Sequence, residues 1–190
     1  VERASSHPRE QTRLLAEAHA RYGLPWRQSH RNLARAEAEF AEADYVTISS
    51  DFARQSFIDQ GFDPERLIQI PFGVDVARFR PAETESGRPF RVLFVGQVTP
   101  RKGVLDLLEA WRLLGWRDAQ LWLAGRPEPA IQPLLAPHAG RAGVRFIGYV
   151  PDPVALYQAA DVFAFPSIEE GSALVTYEAM ACGLPLIVTP

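Results

Sequence analysis

The fold is decided by residues 161–189, which read DVFAFPSIEEGSALVTYEAMACGLPLIVT. The apolar runs at 161–165 and 186–189 are typical of buried strands. Between them we predict a helix over 172–182, because Ser172 can cap its amino end and Gly183 can end it in the left-handed conformation. Pro185 prevents the helix from continuing. A strand, a helix and a second strand predict a right-handed crossover between parallel strands.

The same alternation extends upstream to residue 90. Further strands are predicted at 91–95, 120–124 and 144–147, and further helices at 103–114, 130–138 and 153–160. Strands that alternate with helices predict an α/β fold with a doubly wound parallel sheet, as in Rossmann-like domains.

The first 90 residues have a different pattern. Residues 1–80 are rich in helical stretches and contain two short apolar runs, so we predict the carboxyl-terminal part of an amino-terminal α/β domain. Residues 81–90 are polar and contain Pro81, Gly87 and Pro89, which predicts an interdomain linker. Residues 91–190 then form the sheet domain, which we expect to be truncated at its carboxyl end.

Composition excludes several classes of protein. The net charge of −3 gives no electrostatic case for binding nucleic acid, and no apolar segment approaches the roughly 20 residues that span a bilayer. One cysteine excludes an internal disulfide and favours a reducing, cytoplasmic location. The only methionine is Met180, so we expect the sequence to be a fragment, with any membrane association carried by other regions.

Two charged residues are unusual in their surroundings. Glu178 is the only charge in the predicted helix 172–182, and a buried carboxylate is costly unless a partner hydrogen-bonds to it. Lys102 is the only lysine among 20 basic residues, and a compact charge on a flexible stem suits phosphate binding.

The loops after the predicted strands bring these charges to one edge of the sheet. Ligands of doubly wound sheets bind at the carboxyl ends of the strands, where Arg101 and Lys102 precede one helix and Glu170 precedes another. A diphosphate at the helix start near Ser172 would leave a ribose about 9 Å away, beside Glu178, whose carboxylate can accept from a vicinal diol. The pattern predicts a site for a nucleoside diphosphate linked to a polyol.

Several motifs carry a family resemblance. The chain resembles the group 1 (family 4) retaining glycosyltransferases of GT-B fold over residues 90–190. The motifs are Glu170 and Glu178 separated by seven residues, AMACGLP at 179–185, the loop Arg101-Lys102-Gly103, FVG at 94–96, LAG at 123–125 and FIG at 146–148. Residues 40–80 look like the end of the family's amino-terminal domain.

The resemblance implies roles for individual residues. Lys102 matches the lysine that contacts the donor diphosphate, Glu178 the ribose ligand, and Glu170 the glutamate near the transferred sugar, so Lys102 and Glu170 are the expected catalytic residues. The backbone amides that face the phosphates belong to Gly171, Ser172, Ala173 and Leu174. The remaining residues of the expected donor site are Gly96, Arg101, Tyr149 and Val150, the last two beside the nucleobase. Gln97 departs from the family, which often has arginine there.

The implied function is transfer of a sugar from a nucleoside diphosphate sugar to an unidentified acceptor, with retention of configuration and with this fragment alone inactive. No cofactor or metal is expected, because no Asp-x-Asp pair occurs and the four histidines are scattered. A sugar-nucleotide epimerase of the same architecture is an alternative that a histidine-rich site would favour. A noncatalytic module that binds nucleotide sugars is another.

Overall fold

The computed structural model describes residues 1–3, 5–27, 29–83 and 86–189. Residues 84 and 85 of the predicted linker 81–90 lie outside the described residues, as does residue 190 at the end of the predicted domain 91–190. None of the described helices is long and apolar enough to cross a membrane.

The chain forms two compact units. The first contains Val1–Phe72 and Ile168–Ala173, and the second contains Gly73–Ser167 and the chain from Leu174 onward. These limits differ from the predicted domains, since 73–90 belong to the second unit and 168–173 to the first. The domain assignment of 1–80, 81–90 and 91–190 stays a prediction.

The first unit is built on a small parallel sheet in the order β1-β2-β3. Its strands are β1 (Glu2–Arg3), β2 (Val46–Ile48) and β3 (Leu67–Gln69), and its helices are α1 (Pro8–Arg21), α2 (His30–Glu42) and α3 (Asp51–Ile58). Its core consists of Phe40, Val46, Ile48, Ala53, Phe57 and Leu67. The two-residue strand β1 was not predicted, because so short a segment shows no alternation.

The second unit contains a five-stranded parallel sheet in the order β6-β5-β4-β7-β8. Its strands are β4 (Phe90–Val95), β5 (Ala119–Ala124), β6 (Val144–Gly148), β7 (Val162–Phe165) and β8 (Leu186–Val188). Its helices are α4 (Val104–Leu114), α5 (Gln132–Leu135), α6 (Val154–Ala159) and α7 (Leu174–Ala181). The chain winds outward from β4 in both directions, so the prediction of a doubly wound sheet is confirmed.

One predicted helix is wrong in its extent. In place of a helix over 130–138, α5 is a single turn flanked by the 3₁₀ turns Pro129–Ile131 and Ala136–His138. Pro133 and Pro137 have no amide hydrogen to donate to the preceding turn, which explains why the α-helix does not continue.

The segment before β4 is attached to the second unit by specific contacts. Phe79 is buried and its ring meets that of Tyr157 edge to face, with centroids 6.0 Å apart. The Gln158 side-chain amide donates to the carbonyl of Arg80 at 3.0 Å. Arg88 donates two hydrogen bonds to the carboxylate of Asp161, at 2.7 and 2.8 Å. These contacts explain why the described residues of the segment before β4 pack with the sheet.

Asp161 is the charged centre of this attachment. It also accepts from the backbone N–H of Arg91 at 2.7 Å. Burial alone would raise its pKa, but the hydrogen bonds from Arg88 and Arg91 outweigh burial and lower the pKa below the ordinary value of 3.8. Asp161 therefore stabilises the fold fully above about pH 3.8, and this contribution is lost as the pH falls through the lowered value.

The variant Asp161→Asn tests this attachment. At pH 7 we expect the free energy of unfolding to fall by about 1–3 kcal/mol, because the charge-assisted hydrogen bonds are weakened. Urea unfolding between pH 7 and pH 3 measures the free energy of unfolding of the variant and of wild type. The difference between the two free energies should become smaller as the wild-type carboxyl is protonated. Exposed Asp118→Asn is the control and should change little. A difference that stays constant down to pH 3 would contradict this account.

Candidate functional site

The strand order of the second unit reverses between β4 and β7. In doubly wound sheets, the crevice beyond the carboxyl ends of the strands at such a reversal is the usual ligand site. The loop after β4 is residues 96–103, which include Arg101 and Lys102, and the chain leaves β7 through Pro166 and Ser167. The sequence prediction placed the donor diphosphate at this edge.

Gly103 allows the two loops to meet. It follows the 3₁₀ turn Pro100–Lys102 in the left-handed conformation, with φ of 66°. A Cβ atom at this position would lie 1.8 Å from the carbonyl oxygen of Pro166. The hydroxyl of Ser167 also donates to the carbonyl of Arg101 at 3.2 Å. The cationic loop is therefore packed directly against the end of β7.

Lys102 is held close to the switch point. Its backbone N–H lies 3.4 Å from the Thr99 hydroxyl oxygen, which accepts a hydrogen bond at the start of the turn. Its Nζ atom lies 5.2 Å from the ring centroid of Phe165, the last residue of β7. A cation over an aromatic face is attracted by the ring quadrupole. The ammonium group thus lies at the carboxyl end of β7.

A cavity of about 440 Å³ opens beyond the ends of β4, β5 and β6. Its lining residues are Val95, Gly96, Gln97, Ala124, Gly125, Arg126, Tyr149 and Val150. It brings together three of the predicted donor-site residues, Gly96, Tyr149 and Val150. The Arg126 guanidinium lies 4.7 Å from the Tyr149 ring centroid, and Tyr149 is 60% exposed. The cavity therefore offers a guanidinium and an accessible aromatic surface.

The frame of this cavity is made by main-chain contacts. The Gly96 N–H donates to the Ala124 carbonyl at 2.9 Å, and the Val98 N–H donates to the Arg126 carbonyl at 3.0 Å. A Cβ atom on Gly125 would lie 1.7 Å from the carbonyl oxygen of Gly96. Only glycine at 125 permits this approach of the loops after β4 and β5.

Helix α7 differs from the prediction at its start. It begins at Leu174, two residues after the predicted cap Ser172, so Glu178 lies about 6 Å along the axis from the first helical residue. Gly183 ends the helix with φ of 81°, as predicted. Met180 on this helix is 49% exposed, whereas Cys182 just after it is buried.

Glu178 has a buried partner. The hydroxyl of Tyr157 on α6 donates to Glu178 Oε2 at 2.7 Å. Burial is the largest cause that raises the pKa of Tyr157 well above its ordinary value, and the adjacent Glu178 carboxylate raises it further. The hydroxyl therefore keeps its proton and remains a donor. The misfit charge in the apolar helix is thus explained by a hydrogen bond from the neighbouring helix.

The remaining predicted residues lie in the first unit. Glu170, Gly171, Ser172 and Ala173 belong to its segment Ile168–Ala173. Glu169, in the same segment, is buried, with 1% exposure. Its carboxylate accepts from the Ser6 N–H at 3.0 Å, the Ser6 hydroxyl at 2.7 Å and the Gln11 side chain at 2.9 Å. Glu169 thus fixes the segment that presents Glu170.

Two residues at the site were missed by sequence reasoning. Arg126 follows the LAG motif directly, and its position after a strand could have identified it. Tyr157 occupies an ordinary buried position of a helix, and no sequence signal links it to Glu178. Within the described ranges, no group of three or more His, Cys, Asp or Glu side chains is placed to hold a metal ion.

The parallel-sheet α/β fold of the chain matches solved structures of GT-B glycosyltransferases. Anabaena HepE in complex with UDP and glucose matches with a TM-score of 0.70 and 23% identity, over 85% of this chain and 48% of that one. Sucrose-phosphate synthase from Thermosynechococcus elongatus matches with a TM-score of 0.68 and 28% identity, over 88% and 47%. The predicted fold class is confirmed.

The chain belongs to the family described as glycosyl transferases group 1, whose sequence model matches residues 89–190, more than half of the chain. It is 35% identical over 176 residues to a D-inositol 3-phosphate glycosyltransferase of Geodermatophilus obscurus. That match covers 80% of this chain and 39% of the relative. The chain therefore spans well under half the length of this relative.

Substituting Gly103 tests the contact between the two loops. We expect Gly103→Ala to lower the free energy of unfolding by about 3 kcal/mol or more, because strain in the left-handed conformation adds to the collision with Pro166. Gly115→Ala is a matched control with φ of 60° and open space around its Cβ, so it should cost only about 1–2 kcal/mol. Urea unfolding measures both, and equal losses would contradict the proposed constraint.

Proposed function

We propose that this chain carries the donor-binding part of a glycosyltransferase that transfers a sugar from a nucleoside diphosphate sugar to an acceptor hydroxyl. The observation that carries the proposal is the contact of the Arg101-Lys102-Gly103 loop with the end of β7, where the Lys102 Nζ atom lies 5.2 Å from the Phe165 ring centroid. Membership of the group 1 family supports it. HepE, which has a similar fold, has been crystallised with UDP and with UDP-glucose.

The proposed chemistry depends on charge at the leaving group. When the bond between the anomeric carbon and the diphosphate oxygen breaks, the bonding electrons leave with the diphosphate. Preorganised cations stabilise such developing charge without reorganising during the reaction. We assign this task to Lys102, with Arg101 beside it, and no metal ion or other cofactor is part of the proposal.

The cavity beside Tyr149 is the proposed site of the nucleobase. The cavity is bounded by Gly96 and by the loop Tyr149-Val150. The exposed ring of Tyr149 can stack on a base. Glu178 is assigned to the ribose, and the amides of 171–174 to the phosphates. Glu170 is assigned to the transferred sugar. Retention of configuration rests on the family resemblance, and the cytoplasmic location rests on composition.

Nucleotide binding tests the proposal, and isothermal titration of the chain with UDP, GDP and their sugars measures it. Binding is a more direct measure than sugar transfer, because the chain spans less than half the length of its relative. We expect Lys102→Ala to weaken binding of the preferred nucleotide roughly tenfold to hundredfold, since charge-assisted hydrogen bonds to the diphosphate are lost. Glu178→Ala should weaken it about tenfold.

The control is Glu109→Ala, which removes a carboxylate from an exposed ion pair with Arg112 on α4. This variant should bind like wild type. The proposal is overturned if none of these nucleotides binds, or if Lys102→Ala and Glu178→Ala both bind as tightly as the control.

A further inference from the structure

Tyr157 is a completely buried residue whose side-chain hydroxyl points to Glu178, the residue that is proposed to bind the ribose. It is 0% exposed on α6, and its hydroxyl donates to Glu178 Oε2 at 2.7 Å. This distance is typical of a strong hydrogen bond from a hydroxyl to an ionised carboxylate. The contact joins α6 to α7 within the second unit.

The direction of this hydroxyl is fixed by aromatic neighbours. The Tyr157 ring lies 5.7 Å from the Phe163 ring and 6.0 Å from the Phe79 ring, measured between centroids. Phe163 is in β7, and Phe79 is in the segment that packs on the sheet before β4. A buried ring between two others has little freedom to rotate its axis. Tyr157 therefore holds the Glu178 carboxylate in a fixed position relative to the sheet.

Glu178 keeps acceptor capacity beyond this contact. A carboxylate has about four lone-pair sites on its two oxygens. Within the part of the chain that the structure describes, Oε2 accepts from Tyr157 and no hydrogen bond to Oε1 occurs. Glu178 is only partly buried. One oxygen is thus held from the protein side, and the other can accept from a ligand.

We infer that Tyr157 is a positioning residue for the nucleotide ribose. By holding Oε2, it sets the plane of the Glu178 carboxylate so that Oε1 and the remaining lone pair of Oε2 accept from the two vicinal hydroxyls. The inference rests on the proposed function, because it requires a nucleotide at the switch point. It adds that recognition of the ribose diol depends on a buried residue that the nucleotide does not touch.

A purely structural role for Tyr157 makes a different prediction. If the hydroxyl only satisfies a partly buried carboxylate, its removal changes stability and affects every nucleotide equally. If it orients the carboxylate, its removal affects only nucleotides that carry ribose hydroxyls. Nucleotides with and without the diol therefore separate the two roles.

The experiment compares Tyr157→Phe with wild type by isothermal titration. The probes are UDP and GDP, each beside its 2′,3′-dideoxy form. We expect the variant to bind the preferred ribonucleotide roughly 3- to 10-fold more weakly, the effect of one lost neutral donor, and to bind the dideoxy form as wild type does. Unchanged binding of the dideoxy form also shows that the variant site is folded. Tyr45→Phe, at a residue that is 55% exposed, is the matched control and should change neither affinity.

A double-mutant cycle tests whether the Tyr157 hydroxyl affects ribonucleotide binding through Glu178. If Tyr157 acts through Glu178, then adding Tyr157→Phe to Glu178→Ala should cause no further loss of ribonucleotide affinity. Equal weakening of both nucleotide forms would overturn the inference, as would an undiminished effect in the Glu178→Ala background. Absence of binding by wild type would instead overturn the proposed function, and the inference with it. The two failures are therefore distinguishable.

Discussion

The absence of a side chain at residue 103 is the constraint on which the proposed diphosphate site depends. A Cβ atom there would lie 1.8 Å from the Pro166 carbonyl oxygen, so any other residue would separate the loop after β4 from the end of β7. The approach brings Arg101 into hydrogen-bonding contact with Ser167 and Lys102 over the ring of Phe165. Backbone packing thus holds the loop that carries Arg101 and Lys102 at the sheet edge.

The sequence predicted the second unit well because its strands and helices are long enough to show a period. The parallel order and the cationic loop at the switch point follow from that alternation and from the unusual position of Lys102. Predictions were wrong where local chemistry decides the outcome. Pro133 and Pro137 divide one predicted helix into short turns.

Other features of the site depend on contacts between residues that are distant in sequence, which no period reveals. Tyr157 and Glu178 are 21 residues apart on different helices. Glu169 meets Ser6 across 163 residues, and Glu169 and Glu170 look equivalent in the sequence. Only the folded chain shows that Glu169 is buried and that Glu178 has a tyrosine partner. The family resemblance therefore identified Glu170 and Glu178 as site residues, but it did not identify Glu169 and Tyr157, which support them.

The main-chain frame around the cavity beside Tyr149 has a consequence for how this chain can change its ligand. The loops after β4 and β5 are joined by bonds between backbone groups, which do not depend on the side chains of Gln97 or Arg126. Those two side chains line the cavity and can be exchanged while its walls keep their spacing. A change of these few side chains can thus alter the shape and charge of the cavity, while the main-chain scaffold around the proposed nucleotide site keeps its geometry.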